Sequence, residues 1–445
     1  MSKHLTNAAY GVLDYASYPI GMLLVAPVVL RKLGASEYGL WMIATALISA
    51  GGIVASGFCD ANIQRVAHLR GIGNSDLIPN TVRGILGISM ILGFLLAAAT
   101  WIAAPYAAAR IAVQHQVSTG ECLISLRIAS TLIFLRSIES VPVSTQRAFE
   151  HYRGTTQIST AVRILTLASA AVFACLGQRT ISILAATAVW MAFGTYMQFR
   201  QLPRFLGAAS LWPQFHPTET RALLGLGIFV WLQAIGGVIF GQLDRIVLGV
   251  TLGALAVAPY SLCVQFAHPI FGLTASGLSF LFPYLSGRAS TLSISALKRT
   301  LLKAFACNLA LVTCGAGLLL FEGPRLIRLW AGPEVAASAA KIMVPIIVGS
   351  AFMGLSVTGT YAMQALGLFR TVAVISLGSR AAMLLLMIEL LRHMGLQGLA
   401  LSRLCYGSVA LLVYLPLLWR LVETSEKNGI SALSKVSRVQ EGAKP

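Results

Sequence analysis

Arginine and carboxylate side chains interrupt several stretches of this sequence that are otherwise apolar. Arg136 and Glu139 lie in the middle of one stretch, Arg163 lies in the next, and Arg380 lies in a later one. A charge in the core of a bilayer costs at least about 2.5 kcal/mol, so such residues usually face a partner or a water-filled cavity. Guanidinium groups bind phosphate oxygens through paired hydrogen bonds. The three arginines therefore predict a cationic cavity, between two halves of the molecule, for an amphiphilic ligand that bears phosphate.

Arg136 and Glu139 are three residues apart, a spacing that brings both side chains to one face of a helix. They predict an ion pair, which is either a structural feature or part of the ligand-binding surface. Arg163 and Arg380 have no counter-charge close to them in the sequence. For these two arginines we favour the cavity.

Three carboxylates at membrane depth are candidates to bind a coupling proton or sodium ion: Asp14, Asp244 and Glu139. Transport against a gradient needs an energy source, and the sequence has no nucleotide-binding motif. Asp14 and Asp244 each lie in the first predicted helix of one half of the chain. A capping or pairing role is the alternative for each of them.

The remaining chemistry-bearing residues show no pattern of a catalytic or metal site. The sequence contains no P-loop, no dinucleotide fingerprint and no H-E-x-x-H motif. Its seven cysteines are scattered without a C-x-x-C pair, and its seven histidines are equally dispersed. We therefore expect no catalytic residue, no metal, no cofactor and no enzyme activity. The net charge of +18 indicates basic loops facing anionic lipid rather than a nucleic-acid partner.

The composition indicates which elements must position these residues. The chain has 445 residues, of which 57% are hydrophobic and only 11% are charged, against about 25% charged in soluble domains. Apolar runs of about 20 residues, each long enough to cross a bilayer as a helix, recur from end to end. They predict an all-α polytopic membrane protein with twelve transmembrane helices, at 8–30, 39–59, 83–105, 123–146, 157–177, 180–199, 223–243, 256–284, 301–321, 338–363, 371–391 and 397–419.

The distribution of basic residues predicts the orientation of these helices. With twelve spans, the loops after the even-numbered spans and both termini carry 19 lysines and arginines, and the other loops carry eight. The positive-inside rule then places both termini in the cytoplasm. A polar, proline-containing stretch at 201–222 predicts a cytoplasmic linker between an N-terminal six-helix lobe (1–200) and a C-terminal one (223–420), with a cytoplasmic tail at 421–445.

Two short segments at equivalent positions of the two lobes resemble one another. "LRKLGASEYGLW" at 30–41 follows the first predicted span, and "TLGALAVAPYSL" at 251–262 follows the seventh. A chance match in a sequence rich in alanine, leucine and glycine is the alternative. We favour two copies of a six-helix repeat, a pattern typical of transporters whose substrate path lies between the halves around a central cavity.

The same segments resemble the bacterial lipid-linked oligosaccharide flippases of the multidrug/oligosaccharidyl-lipid/polysaccharide exporter superfamily. The resemblance rests on 31–71, with its Leu-Gly, acidic and Tyr-Gly turn before a polar amphipathic loop, on 244–261 and on 329–352. It implies two lobes around a cationic cavity that takes a polyprenyl-pyrophosphate-linked oligosaccharide. It also implies an inner-membrane location in bacteria, membrane lipids as partners, and a polysaccharide polymerase and a chain-length regulator as further partners.

Two other functions remain open from the sequence. A multidrug or cation antiporter would share the fold, although a cation path should be acidic and arginines here outnumber carboxylates at mid-depth. A membrane-embedded glycosyltransferase, acyltransferase or polymerase should show a large outer loop with paired acidic or histidine residues. None of the predicted outer loops is large.

Overall fold

The computed structural model describes residues 3–112, 117–207, 211–214, 231, 235–238, 241–278, 281, 285, 294–366 and 368–420. Within these ranges the side chains of residues 3–17, 60, 75, 294 and 369 are not described. The described part of the chain is helical and contains no β-strand. Its helices are α1 (Lys3–Leu33), α2 (Ala35–Ser56), α3 (Cys59–Gly71), α4 (Ile78–Ile111), α5 (Thr119–Ala148), α6 (Tyr152–Cys175), α7 (Thr180–Gln201), α8 (Pro203–Leu206), α9 (Leu243–Leu252), α10 (Ala254–Gly277), α11 (Ile294–Ala331), α12 (Pro333–Ala365) and α13 (Phe369–Ala410).

Eight segments of the described residues are long and apolar enough to cross a membrane. Together they show a multi-pass membrane protein, as the sequence predicts. The number twelve stays a prediction, because most of the predicted span at 223–243 lies outside the described residues. Helix α5 matches the predicted span at 123–146 and has 30 residues. Its charged and hydroxyl side chains make it less apolar, so it is not one of these eight segments.

Helix α13 covers the predicted span 371–391 and the first part of the span 397–419, and it contains a reversal. Gly395 has non-helical angles, φ 57° and ψ −135°. A Cβ on Gly398 would collide with the carbonyl oxygen of Leu390, although residues eight apart in a straight helix lie about 12 Å apart. The chain therefore turns back at Gly395, between the two predicted spans.

Three helices end later than their hydropathy suggests, because glycine decides where they stop. Gly34 (φ 86°, ψ 171°) follows α1 and Gly253 (φ 81°, ψ 172°) follows α9, with almost identical backbones. Gly332 (φ 85°) follows α11 in the same way. Only glycine adopts such angles without strain. The predicted loops after spans 1, 7 and 9 are therefore single-residue turns, and the two resembling segments share one turn geometry.

The polar segment expected to be a loop after span 2 is instead a helix. Residues 59–71 form α3, which packs against α4 and α5. One face of α3 is buried, with Ala61, Val66 and Leu69 in the hydrophobic core between these helices. The amphipathic pattern noted in the sequence fits a helix that lies against the bundle, and it was wrong to assign it to a loop.

The chain divides into two compact units. Unit 1 comprises residues 1–261 and 328–336, and unit 2 comprises 262–327 and 337–445. In unit 1, α5 is the central helix and packs against α2, α3, α4, α6 and α7. In unit 2, α12 and the second part of α13 approach closely, since a Cβ on Gly407 would collide with the backbone of Gly349. Small residues allow such close contact in membrane helices.

Helices α2, α4, α5, α6 and α7 run alternately between two ends of unit 1. At the Gly34 end, which also includes 112, 117–118, 176–180 and 253, the Thr180 N–H donates to Glu37 Oε2 at 3.0 Å, and Arg179 pairs with Glu121. At the Asn74 end, which includes 72–77, 149–151 and 202–206, Arg70 pairs with Glu150 at 2.8 Å. Loops predicted to share a side of the membrane thus contact one another.

Candidate functional site

A cavity of about 270 Å³ lies inside unit 1, against the half of α5 nearer the Asn74 end. Three arginines line it: Arg136 and Arg147 from α5 and Arg163 from α6. One carboxylate, that of Glu139, and several hydroxyl side chains complete its polar surface. The full lining is Ile53, Ser56, Gly57, Cys59, Ile63, Arg136, Glu139, Ser140, Val143, Ser144, Arg147, Ser159 and Arg163.

Helix α5 supplies the largest share of this lining because one of its faces is polar and buried. Ser137, Ser144 and Thr145 are buried in the bundle, and each donates its hydroxyl proton to a backbone carbonyl one turn earlier. Such bonds satisfy the donors without a neighbouring helix. The Asn62 amide of α3 donates to the hydroxyls of Ser144 and Thr145 at 2.8 and 3.1 Å. These bonds fix α3 against the cavity wall.

Arg136 and Glu139 form the predicted ion pair. Arg136 Nη1 donates to Glu139 Oε2 at 2.9 Å. The two partners differ sharply in exposure: the Arg136 side chain is 46% exposed and that of Glu139 is 5% exposed. The guanidinium group therefore keeps donors directed at the cavity while it neutralises a carboxylate buried behind it.

Two glycines of α2 make room for the centre of α5. A Cβ on Gly51 would lie 2.7 Å from the side chain of Ile133, and a Cβ on Gly52 would lie 2.7 Å from Arg136 Cγ. Gly57 lines the cavity, and a Cβ on it would lie 2.6 Å from Cδ1 of Trp231. The indole N–H of Trp231 donates to the Val54 carbonyl at 2.8 Å. Small residues on α2 thus set the position of Arg136.

The positive field extends beyond the lining residues. Tyr18 of α1 lies within electrostatic range of three guanidinium groups, those of Arg136, Arg163 and Arg245. Arg245 lies on α9, which packs against α2 and α4 in unit 1. Four elements, α1, α5, α6 and α9, therefore converge near the arginines.

The structure brings together Arg136, Glu139 and Arg163 but does not place the other candidates in this cavity. The cavity is lined by residues of the first half alone, whereas the sequence predicted a cavity between the halves. Arg380 lies on α13 in unit 2, half-buried, and its Nε has no hydrogen-bond partner among the described residues. Asp14 lies on α1, and its side chain is outside the described residues.

Asp244 is fully buried and hydrogen-bonded. Its Oδ2 accepts a bond of 2.5 Å from the phenol of Tyr260, and its Oδ1 accepts one of 2.7 Å from the backbone N–H of Arg245. Asp244 stands in the first turn of α9, where a negative charge is stabilised by the helix dipole. This geometry fits the pairing role that the sequence left open.

Sequence reasoning missed Arg147 and the serines of the cavity. Arg147 was counted among the basic residues of a loop, but it stands in the last turn of α5. It lies eleven residues, about 16 Å of helix rise, from Arg136. The spacing 136, 140, 144, 147 follows one face of a helix, and this signal could have been found in the sequence.

The family follows from a comparison with family models. A model described as polysaccharide biosynthesis protein matches residues 28–306, more than half of the chain. The chain belongs to this family. The resemblance drawn from segments 31–71 and 244–261 is thereby confirmed. No curated protein sequence matches the chain significantly.

Solved structures show the fold. The chain is similar to a multidrug resistance MATE family transporter of the MOP superfamily in its inward-facing conformation, with a TM-score of 0.72, 12% identity, and 93% of this chain and 99% of that chain covered. It is similar to the lipid II flippase MurJ in an inward closed conformation, with a TM-score of 0.72, 14% identity, and 92% and 87% covered. The polysaccharide biosynthesis chain thus shares the fold of these transporters.

Proposed function

We propose that this protein is a flippase that moves an undecaprenyl-pyrophosphate-linked oligosaccharide across the bacterial inner membrane, for O-antigen, capsule or exopolysaccharide synthesis. It works by alternating access between two six-helix lobes and couples to an ion. One observation carries the proposal: Arg136, Arg147 and Arg163 line a single cavity inside a transmembrane bundle. A charged arginine inside a membrane bundle is energetically unfavourable unless it binds a ligand or pairs with another residue.

The charge and size of the cavity suit the diphosphate part of such a lipid. Three guanidinium groups and one carboxylate leave two net positive charges, which match the two negative charges of a diphosphate diester. Arginine is the residue best suited to phosphate oxygens, because its planar fork makes paired hydrogen bonds. Ser159 offers a hydroxyl to an adjoining sugar, whereas the hydroxyl protons of Ser140 and Ser144 already go to backbone carbonyls of α5. A volume of about 270 Å³ leaves the distal sugars and the lipid tail outside.

The comparisons support this class of function. The family concerns polysaccharide biosynthesis, and one of the similar folds is named as a lipid flippase. Arg380 in unit 2 is a candidate to engage the pyrophosphate or acidic sugars at another stage of transport. Asp14, Asp244 and Glu139 are the candidates for a proton or sodium ion. A polysaccharide polymerase and a chain-length regulator are the further partners that we propose.

A multidrug antiporter is the second candidate, favoured by the similarity to a MATE transporter. The cavity argues against it. A site for organic cations should present carboxylates or aromatic faces, whereas the cavity of unit 1 presents three arginines to one carboxylate. We therefore rank the flippase first.

The test is the location of lipid-linked oligosaccharides in a deletion strain. Sealed right-side-out vesicles are treated with a membrane-impermeant glycosidase, and the lipid-linked units are then extracted. The proposal predicts intact units protected inside the vesicles and loss of the surface polysaccharide. Lipid-linked units that remain accessible outside would overturn the flippase and bring the antiporter forward.

Complementation then tests the cavity. The triple variant Arg136→Ala, Arg147→Ala, Arg163→Ala should insert into the membrane but fail to restore translocation. Arg325→Ala is the matched control, because Arg325 also pairs with a glutamate three residues away, Glu322 at 3.0 Å, but does so on an exposed surface. A triple variant that translocates as well as this control would refute the assignment of the cavity.

A further inference from the structure

One hydroxyl group of the unit 1 cavity differs from the others in its hydrogen bonds. The hydroxyls of Ser56, Ser140 and Ser144 donate to backbone carbonyls of their own helices. Ser159 on α6 makes no such bond among the described residues, and its Oγ accepts a bond from a neighbouring helix instead. Because Ser159 also lines the cavity, its hydroxyl proton is available to a ligand.

The amide of Gln198 on α7 is the group that donates to Ser159. Gln198 Nε2 donates to the Thr155 carbonyl at 3.2 Å and to Ser159 Oγ at 3.4 Å. A serine in a helix commonly donates its proton to the carbonyl four residues earlier, which for Ser159 is the carbonyl of Thr155. The Gln198 amide lies against both groups and replaces that bond. Ser159 therefore accepts on this side, and its own proton is left for a partner in the cavity.

A second amide, that of Gln146 on α5, fixes which end of the Gln198 side chain faces Ser159. Gln146 Nε2 donates to Gln198 Oε1 at 2.7 Å and to the Gln198 backbone carbonyl at 3.5 Å. Backbone carbonyls can only accept, so those of Thr155 and Gln198 hold both amide groups in these orientations. Both glutamines are fully buried, where an amide without a hydrogen bond is costly.

On the basis of the proposed function, we propose that Ser159 donates its hydroxyl proton to an oxygen of the sugar next to the diphosphate, and that Gln198 is the residue that positions this hydroxyl. Arg163 lies four residues further along α6 and lines the same cavity, so the two side chains share a face of the helix. Arg163 holds a phosphate, and Ser159 contacts the sugar attached to it. The site thereby favours the sugar-loaded lipid over the bare prenyl diphosphate.

The test compares two probes on the purified full-length protein: a short-chain prenyl diphosphosugar and the same prenyl diphosphate without the sugar. Calorimetry gives the Kd of each probe, and the ratio of the two isolates the contact with the sugar, since a poorly folded variant weakens both probes alike. Ser159→Ala should lower the preference for the diphosphosugar about fivefold, the effect of one neutral hydrogen bond. Thr187→Ala on α7, which removes a hydroxyl bonded within its own helix, should keep the natural preference.

The role of Gln198 is tested through its effect on Ser159. Gln198→Met has a side chain of similar length without an amide, so the Ser159 proton turns to the Thr155 carbonyl and the preference should again fall about fivefold. The double variant Ser159→Ala, Gln198→Met should show no further fall, because Gln198 acts through Ser159. An unchanged preference in Gln198→Met, or a further fall in the double variant, would refute the positioning role.

The two probes also separate this inference from the proposed function. A natural sequence that binds both probes equally would overturn the contact with the sugar and leave the flippase standing. The same conclusion would follow if Ser159→Ala weakened both probes by the same factor, because the hydroxyl would then contact a phosphate. A folded natural sequence that binds neither probe would refute the proposed function itself.

Discussion

At the scale of single residues, two arginine–glutamate pairs with the same spacing differ in burial and therefore in their effect on stability. Arg136 and Glu139 in α5 and Glu322 and Arg325 in α11 are both three residues apart and both joined at 2.9–3.0 Å. The carboxylate of the first pair is buried, whereas both side chains of the second pair are exposed. Exposed pairs contribute little to stability, whereas a buried charge without its partner is strongly destabilising.

Arg136→Ala should therefore lower the free energy of unfolding by about 2 kcal/mol. This is less than the roughly 3–5 kcal/mol for a fully buried pair, because the Arg136 side chain is half exposed. Adding Glu139→Gln removes the uncompensated charge and should restore most of the stability without restoring translocation. Thermal unfolding in detergent measures the first effect and complementation the second. Equal melting temperatures for Arg136→Ala and Arg325→Ala would contradict the prediction.

Residue types and spacing were enough to predict the Arg136–Glu139 pair, because three residues along a helix always share a face. They were not enough to place Arg163 relative to Arg136, since that depends on how α6 packs against α5. They also misassigned Arg147, because hydropathy marks the end of an apolar run and α5 continues past that point to Ala148.

At the scale of elements, the position of Arg136 depends on how closely α2 approaches α5. Gly51 and Gly52 allow this approach, and Gly52 faces the stem of Arg136 directly. Glycine inside a helix is otherwise unfavourable by about 1 kcal/mol relative to alanine. Its presence in α2 is explained by the space that the arginine side chain occupies.

Gly52→Ala should leave stability nearly unchanged and reduce translocation by on the order of tenfold. The gain in helix propensity offsets part of the crowding, but the added Cβ lies 2.7 Å from Arg136 Cγ and must displace that side chain. Gly317→Ala in α11 is the control, because a Cβ there meets nothing within 4 Å. Translocation by Gly52→Ala at the level of this control would show that Arg136 tolerates the displacement.

The boundaries of elements show where sequence reasoning stops. Helical class and most spans follow from hydropathy, because a lipid-facing helix must be apolar along its length. The ends of α1, α9 and α11 follow from the backbone freedom of Gly34, Gly253 and Gly332 instead. The helix α3 was missed because an amphipathic segment is recognisable only with the surface it packs on.

At the scale of the whole molecule, the two ends of unit 1 predict an orientation. The Asn74 end includes the basic residues Arg70 and Arg83, and the positive-inside rule assigns such an end to the cytoplasm. The same rule predicts that the Gly34 end faces outward. The proposed twelve-helix, two-lobe arrangement keeps this orientation and places both termini in the cytoplasm.

Single cysteines at exposed positions test the orientation. In a variant without its native cysteines, Gln178→Cys at the Gly34 end should react with a membrane-impermeant maleimide in intact spheroplasts. Asn74→Cys should react only after permeabilisation, because the positive-inside rule predicts that this end lies on the cytoplasmic side. The reverse pattern would invert the molecule in the membrane, and labelling of both sites without permeabilisation would contradict the alternation of helices between the two ends.

The single-residue turns have a practical consequence. At the Gly34 end, one glycine alone joins α1 to α2 and α9 to α10, so neither of these two turns offers an extended strand of backbone to a protease. If this end faces outward, protease added to intact cells should not cleave the chain at Gly34 or Gly253. Epitope tags and reporter insertions should be placed at the Asn74 end, where the chain between α3 and α4 is longer, rather than at these turns.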